Sequence, residues 1–207
     1  MLQAARRYTD IAVITICRFP GEDWDRKGIP GDGDFYLSPQ EQEMVDAVTA
    51  AFPKVAVVLD VGGMVDSSWF KENEKIQSVL LAWQAGIEGG LAIADILCAD
   101  ANPSGKLVDT FAGSFDDYPS SAGFNDSDDY VDYTEDIYVG YRYFETIPGA
   151  AEKVNYPFEM CIRDSGSSIQ IQRYAHHAAY LHGGNRIHCR RAWHYECSVC
   201  FRKGKNQ

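Results

Sequence analysis

Residues 10–18, DIAVITICR, and residues 54–60, KVAVVLD, are short, unbroken apolar runs rich in β-branched side chains. A strand with one wet face alternates polar and apolar residues; an unbroken run suits a strand covered on both faces, as in parallel sheets. Between the two runs Ser38-Pro39-Gln40-Glu41 reads as a helix start, with Ser38 as N-cap, Pro39 in the first turn and Glu41 completing a capping box. Met44, Val45, Val48, Ala51 and Phe52 then recur at intervals of three and four, so one face of this helix packs on a sheet. Residues 79–84, VLLAWQ, read as a third strand and residues 88–97, EGGLAIADIL, as a second helix. Strands alternating with helices require crossover connections, which predicts an α/β fold: an open, mainly parallel sheet with helices on both faces. In such sheets ligands gather beyond the carboxyl ends of the strands, here residues 18–26, 62–69 and 85–90. Residues 22–36 and 113–132 are polar and aperiodic and are expected as loops, while residues 133–144, YTEDIYVGYRYF, favour β-structure.

Charge divides the chain. Residues 1–165 hold 29 Asp and Glu against 12 Lys and Arg; residues 166–207 hold one acid, Glu196, against seven bases, together with all five His. Two differently composed polypeptides look joined. The acidic part argues against a nucleic-acid partner, which rewards clustered Lys and Arg, and suits an enzyme acting on an uncharged substrate. No apolar run reaches the roughly 20 residues of a membrane helix, so no membrane partner is expected. The compartment stays open, with the cytoplasm as the default. Cys17 and Cys98 read as free thiols packed as small apolar groups, and nothing in the first part resembles a disulfide framework.

Five stretches in order carry a resemblance. They are Pro20-Gly21-Glu22-Asp23-Trp24-Asp25-Arg26 directly after an apolar strand; Val61-Gly62-Gly63-Met64-Val65-Asp66, followed by Trp69; Leu81-Ala82-Trp83-Gln84-Ala85-Gly86-Ile87-Glu88-Gly89-Gly90; Asn102-Pro103-Ser104-Gly105-Lys106-Leu107; and the run from Tyr133 to Phe144. Together they resemble the second, α/β-sandwich domain of family 3 glycoside hydrolases of the β-glucosidase type, over residues 1–158. Asp23 stands where Gly is common in that family, Ala85 where Pro is common, and Val108-Asp109 where Pro-Val is common.

The resemblance implies a retaining exo-β-glycosidase, with β-glucosidase first and β-xylosidase behind, acting on an oligosaccharide or an aryl or alkyl β-glycoside without metal or cofactor. Retention takes two carboxyl groups about 5 to 5.5 Å apart, one attacking the anomeric carbon and one protonating the leaving oxygen. The family likeness implies that the attacking Asp belongs to an N-terminal TIM barrel of the same chain, and that the second domain lends the acid/base Glu. By motif position that is Glu22; the bland alternative is a solvated loop carboxylate. Glu135 is the runner-up, with a structural or substrate-adjacent role favoured there. Trp24 and Phe19, with Trp69 behind them, could wall a sugar site or simply pack. Arg26 could orient a carboxylate through a paired hydrogen bond or make a plain surface ion pair. Glu88 with Gly89-Gly90 at a helix start matches neither a P-loop nor a dinucleotide fingerprint and reads as an acidic first turn. The piece alone is expected to be inactive, and a non-catalytic α/β module binding a carbohydrate or other small ligand is the rival reading.

The likeness stops at Tyr156-Pro157-Phe158. The next residues, EMCIRDS from 159 to 165, are what a transposon mosaic end used in sequencing libraries encodes when entered one base into a Gly codon. Residues 159–207 are therefore expected to be a non-native, disordered tail. His188, Cys189, His194, Cys197 and Cys200 include a Cys-x-x-Cys, but the second pair of a regular zinc finger is missing, so no metal site is expected.

Overall fold

The computed structural model describes residues 2–19, 26–123, 127–158 and 199–201, the last three by their backbone. A short helix α1 (Leu2–Ala5) leads into strand β1 (Ile11–Arg18), followed by helix α2 (Pro39–Ala51) and strand β2 (Lys54–Val61). A one-turn helix α3 (Ser68–Lys71), strand β3 (Ile76–Leu81) and helix α4 (Gly89–Leu97) come next. Strand β4 (Phe111–Ala112), helix α5 (Tyr141–Thr146), strand β5 (Val154–Tyr156) and strand β6 (Val199–Phe201) follow, with short 3-10 turns at Phe115–Asp117 and Ala150–Lys153.

β1, β2 and β3 are neighbours in that order and run parallel; Ile11 faces Lys54 and Arg18 faces Val61 across the first pair, and Val57 faces Val79 across the second. This is the predicted sheet. Its centre, β2, is wet on neither side. Val55, Val57, Leu59 and Val61 point to a core shared with Ile14, Ile16, Val79, Leu81, Val45, Phe52 and Phe70, while Val58 turns the other way to meet Leu80, Ala82 and the α4 residues Ile93, Ile96 and Leu97. Helices thus cover both faces, and the period-two direction of side chains explains why an all-apolar run was needed at β2.

Three expectations are corrected. β1 alternates instead of being buried throughout: Ile14, Ile16 and Arg18 are inside, whereas Val13 is half exposed and Thr15 and Cys17 are exposed. The cause is position, since β1 has no second neighbouring strand among the described residues and α4 packs only over β2 and β3. Cys17 is therefore not a packed core thiol. β3 starts three residues earlier than the apolar run indicated, because it opens with Ile76, the exposed Gln77 and the buried Ser78, and the apolar Trp83 already lies beyond its end with φ of 52°. The run 133–144 is not a strand. It turns at Asp136 and enters α5, where Phe144 packs with Ala112 and Ala150 and meets the Tyr118 ring edge-on at 5.9 Å. Burial of one aromatic outweighs the weak β-preference of its neighbours.

α2 begins as its sequence indicates: Ser38 Oγ accepts from the Glu41 N–H at 3.3 Å and Glu41 Oε2 accepts from the Ser38 N–H at 2.9 Å. Of the expected tail, Val199–Phe201 form a strand antiparallel to β3, with Leu80 opposite Cys200; the rest lies outside the described residues.

These burial differences set the cost of truncation. Leu59→Ala, at a fully enclosed site, is expected to lower the unfolding free energy by about 2–5 kcal/mol, and Val13→Ala, on the open face of β1, by less than about 1 kcal/mol. Urea denaturation of the two variants beside the parent chain measures the contrast.

Candidate functional site

The carboxyl ends of β1 and β2 bring together the residues that flank the Pro20–Arg26 motif. Arg18, the last residue of β1, turns inward with only 6% of its side chain exposed. A guanidinium can be buried only when its five N–H groups are satisfied. Here they are. Nη1 and Nη2 donate to Glu41 Oε1 and Oε2 at 2.7 and 2.8 Å, a bidentate pair. Nε donates to the Asp34 carbonyl at 2.7 Å, Nη1 also to the Cys17 carbonyl at 2.8 Å, and Nη2 also to the Tyr36 carbonyl at 3.4 Å. Glu41 therefore has two duties, capping α2 and neutralising Arg18.

Arg26 takes up the other end. Its Nη1 donates to Asp34 Oδ1 at 2.6 Å, and the Lys27 N–H donates to Asp34 Oδ2 at 2.7 Å. The guanidinium lies along Gly63, just past β2: a Cβ built there would sit 3.5 Å from Nε and 3.7 Å from Nη2. Nη2 itself is buried and has no hydrogen-bond partner among the described residues. Arg26 thus makes a single-contact ion pair with Asp34 through Nη1, not a paired hydrogen bond.

Both carboxyls are held anionic. Burial alone would raise Glu41, but the Arg18 hydrogen bonds, the Ser38 N–H and the Arg18 charge outweigh it and keep the group below the usual range. At Asp34 burial is likewise outweighed by the Arg26 hydrogen bond, the Lys27 N–H and the charges of Arg26 and Arg18. Asp109 is the opposite case, pushed up by burial with one Thr110 N–H at 2.7 Å in compensation. It shares no described hydrogen bond with Arg18, Arg26 or Asp34.

Of the residues singled out from the sequence, Glu22 and Trp24 lie outside the described residues, as do His188, Cys189, His194 and Cys197. Phe19, the residue after β1, has 78% of its surface exposed. Trp69 is partly buried against the main core, edge-on to Phe70 at 5.1 Å, which is packing. Glu135 accepts through its backbone carbonyl from Tyr138 and makes no described contact with the Arg18–Arg26 region. Sequence reasoning missed Asp34 altogether and saw Glu41 only as a cap. The one available signal was Arg18, a cation ending an apolar strand and in need of a partner.

A profile of the glycosyl hydrolase family 3 C-terminal domain matches residues 2–141. The chain belongs to glycoside hydrolase family 3. Within that family it is 56% identical over 178 residues to beta-glucosidase A of Butyrivibrio fibrisolvens, covering 76% of this chain and 21% of that protein. It is 36% identical over 159 residues to a beta-glucosidase of Ruminococcus albus, covering 76% and 16%. Among solved structures, a beta-glucosidase from Paenibacillus barengoltzii superposes with a TM-score of 0.73 at 40% identity, over 78% of this chain and 17% of that one. Beta-glucosidase 3B from Thermotoga neapolitana, in complex with alpha-D-glucose, superposes at 0.69 and 38% identity, over 78% and 22%. The chain spans about a fifth of the length of these relatives.

The depressed carboxyls give a pH signature. Each contributes stability above its ordinary value, 3.8 for Asp34 and 4.5 for Glu41, and loses it as pH falls through the lower folded value. Glu41→Gln is expected to cost on the order of 2 kcal/mol at pH 7, less than a fully buried pair because three carbonyls still accept from Arg18. The difference from the parent chain should shrink at pH 3, as denaturation curves at the two pH values will record.

Proposed function

We propose that this chain is part of a retaining exo-β-glycosidase, a β-glucosidase first, and that it contributes the general acid/base carboxyl of Glu22 to a site completed by a TIM-barrel domain of the same polypeptide. The supporting observation is the Pro20–Arg26 motif in the sequence of a family 3 chain, whose described flanks lie at the carboxyl edge of a parallel sheet: Arg18 ends β1, and Arg26 lies along Gly63 just past β2. The names of the relatives, β-glucosidases all, favour glucose as the terminal sugar.

In this reading the protonated Glu22 delivers its proton to the glycosidic oxygen as that oxygen leaves C1, while the barrel's Asp attacks C1 to form a glycosyl ester. The Glu22 carboxylate then takes a proton from water, which adds to C1 and releases the sugar with net retention. Phe19 and Trp24 are read as apolar contacts for the sugar. The substrate class is an oligosaccharide or an aryl or alkyl β-glycoside.

In the full-length polypeptide Glu22→Gln is expected to lower kcat/KM by about 100- to 10,000-fold on alkyl glucosides, which need proton assistance. On 2,4-dinitrophenyl glucoside, whose leaving group departs unaided, the fall should be far smaller. Equal losses on both substrates would remove Glu22 from the acid role.

We read the native domain as residues 1–158 and the remainder as foreign sequence. The change from an acidic to a basic composition near residue 165 and the 76% coverage by relatives support this. Sequencing the source DNA across codons 155–170 should show the linker junction, and uninterrupted coding sequence conserved in sister genomes would refute it.

A further inference from the structure

Both ends of the seven-residue segment between Arg18 and Arg26 are tied to one residue. The Asp34 carbonyl accepts from Arg18 Nε at 2.7 Å, and the Asp34 carboxylate accepts from Arg26 Nη1 at 2.6 Å and from the Lys27 N–H at 2.7 Å. Asp34 is itself on firm ground. Its neighbour Phe35 is 2% exposed and packs edge-on to Phe115 at 5.3 Å, while the Phe35 carbonyl accepts from the Asp66 N–H at 2.9 Å. The Tyr36 hydroxyl accepts from the Phe115 N–H at 3.1 Å. Gly28 lies so close to the Phe115 ring that a Cβ there would come within 2.1 Å of it, so the backbone just after Arg26 is pressed onto the same support.

We propose that Asp34 is a positioning residue: by joining Arg18 to Arg26 it fixes the separation and direction of the two chain ends that carry Glu22, and so sets where the acid/base carboxyl is delivered. This rests on the reading of Glu22 given above. A shift of about 1 Å in a proton donor can cost a hundredfold in rate. Arg18 and Glu41 hold the entry side whatever happens to the Asp34 carboxylate, so loss of that carboxylate frees only the exit side.

The test uses the full-length polypeptide, two glucosides differing in leaving group, and azide. Glu22→Ala is the reference: kcat/KM should fall steeply for an alkyl glucoside and little for 2,4-dinitrophenyl glucoside, and azide should restore turnover of the latter by forming the glycosyl azide. Asp34→Ala, which keeps the carbonyl to Arg18, should show the same leaving-group bias at about a tenth to a hundredth of the Glu22→Ala loss, without azide rescue, because the Glu22 carboxyl is still present. Asp34→Asn and Arg26→Lys, milder changes that guard against a failure to fold, should show a smaller loss with the same bias and near-parental melting. If Glu22→Ala behaves as stated but the Asp34 and Arg26 variants lose equally on both glucosides, or lose nothing, the clamp is overturned and the acid assignment stands. If Glu22→Ala shows no leaving-group bias, the acid assignment falls and this proposal falls with it.

Discussion

The carboxyl edge of the sheet depends on one buried cation. Arg18 ends β1 inside the protein, and its five N–H groups are spent on the Glu41 carboxylate and on the carbonyls of Cys17, Asp34 and Tyr36. These acceptors come from three places: the strand's own end, the connection after the motif, and the first turn of α2. One guanidinium therefore registers β1 against the helix that follows it and against the loop between them. Its removal would leave the part-buried Glu41 carboxylate with Ser38 as its remaining described donor and take a donor from each of three carbonyls.

The division of labour at Glu41 follows from geometry. A capping-box glutamate reaches back to the N-cap with one oxygen, and its other oxygen is free to meet a second donor. Here Oε2 serves Ser38 and both oxygens serve Arg18. Helix start and strand end are thereby neutralised together, and α2 can begin against the sheet edge without leaving a lone charge inside.

Legibility in the sequence tracked how local each cause was. β2 could be read because burial on both faces demands an unbroken apolar run, and α2 because Ser38, Pro39 and Glu41 lie within four residues of one another. β3 was displaced because its apolar stretch runs on past Leu81 to Trp83, and only backbone conformation marks the end. α5 was misread because Phe144 is fixed by Tyr118 and Ala112, residues a pattern search does not bring together. Asp34 was invisible for the same reason. Its partners sit 7, 8 and 16 positions away, and it lies in a Gly- and Asp-rich stretch where one more acid attracts no notice. The motif around Glu22 could be located by likeness alone, whereas the supports on which its flanks rest had to be seen.

β1 leaves one further mark. Its outer backbone edge has no partner strand among the described residues, and one of its faces carries Val13, Thr15 and Cys17 toward water. Unpaired edges of this kind recruit strands from other molecules. The acidic surplus of the first 165 residues opposes such contact by repulsion, and dissolved ions weaken that repulsion within about 10 Å at 0.1 M. Colloidal behaviour of this polypeptide in isolation should accordingly be governed by ionic strength, with dilute buffers keeping copies apart and concentrated ones letting edges meet.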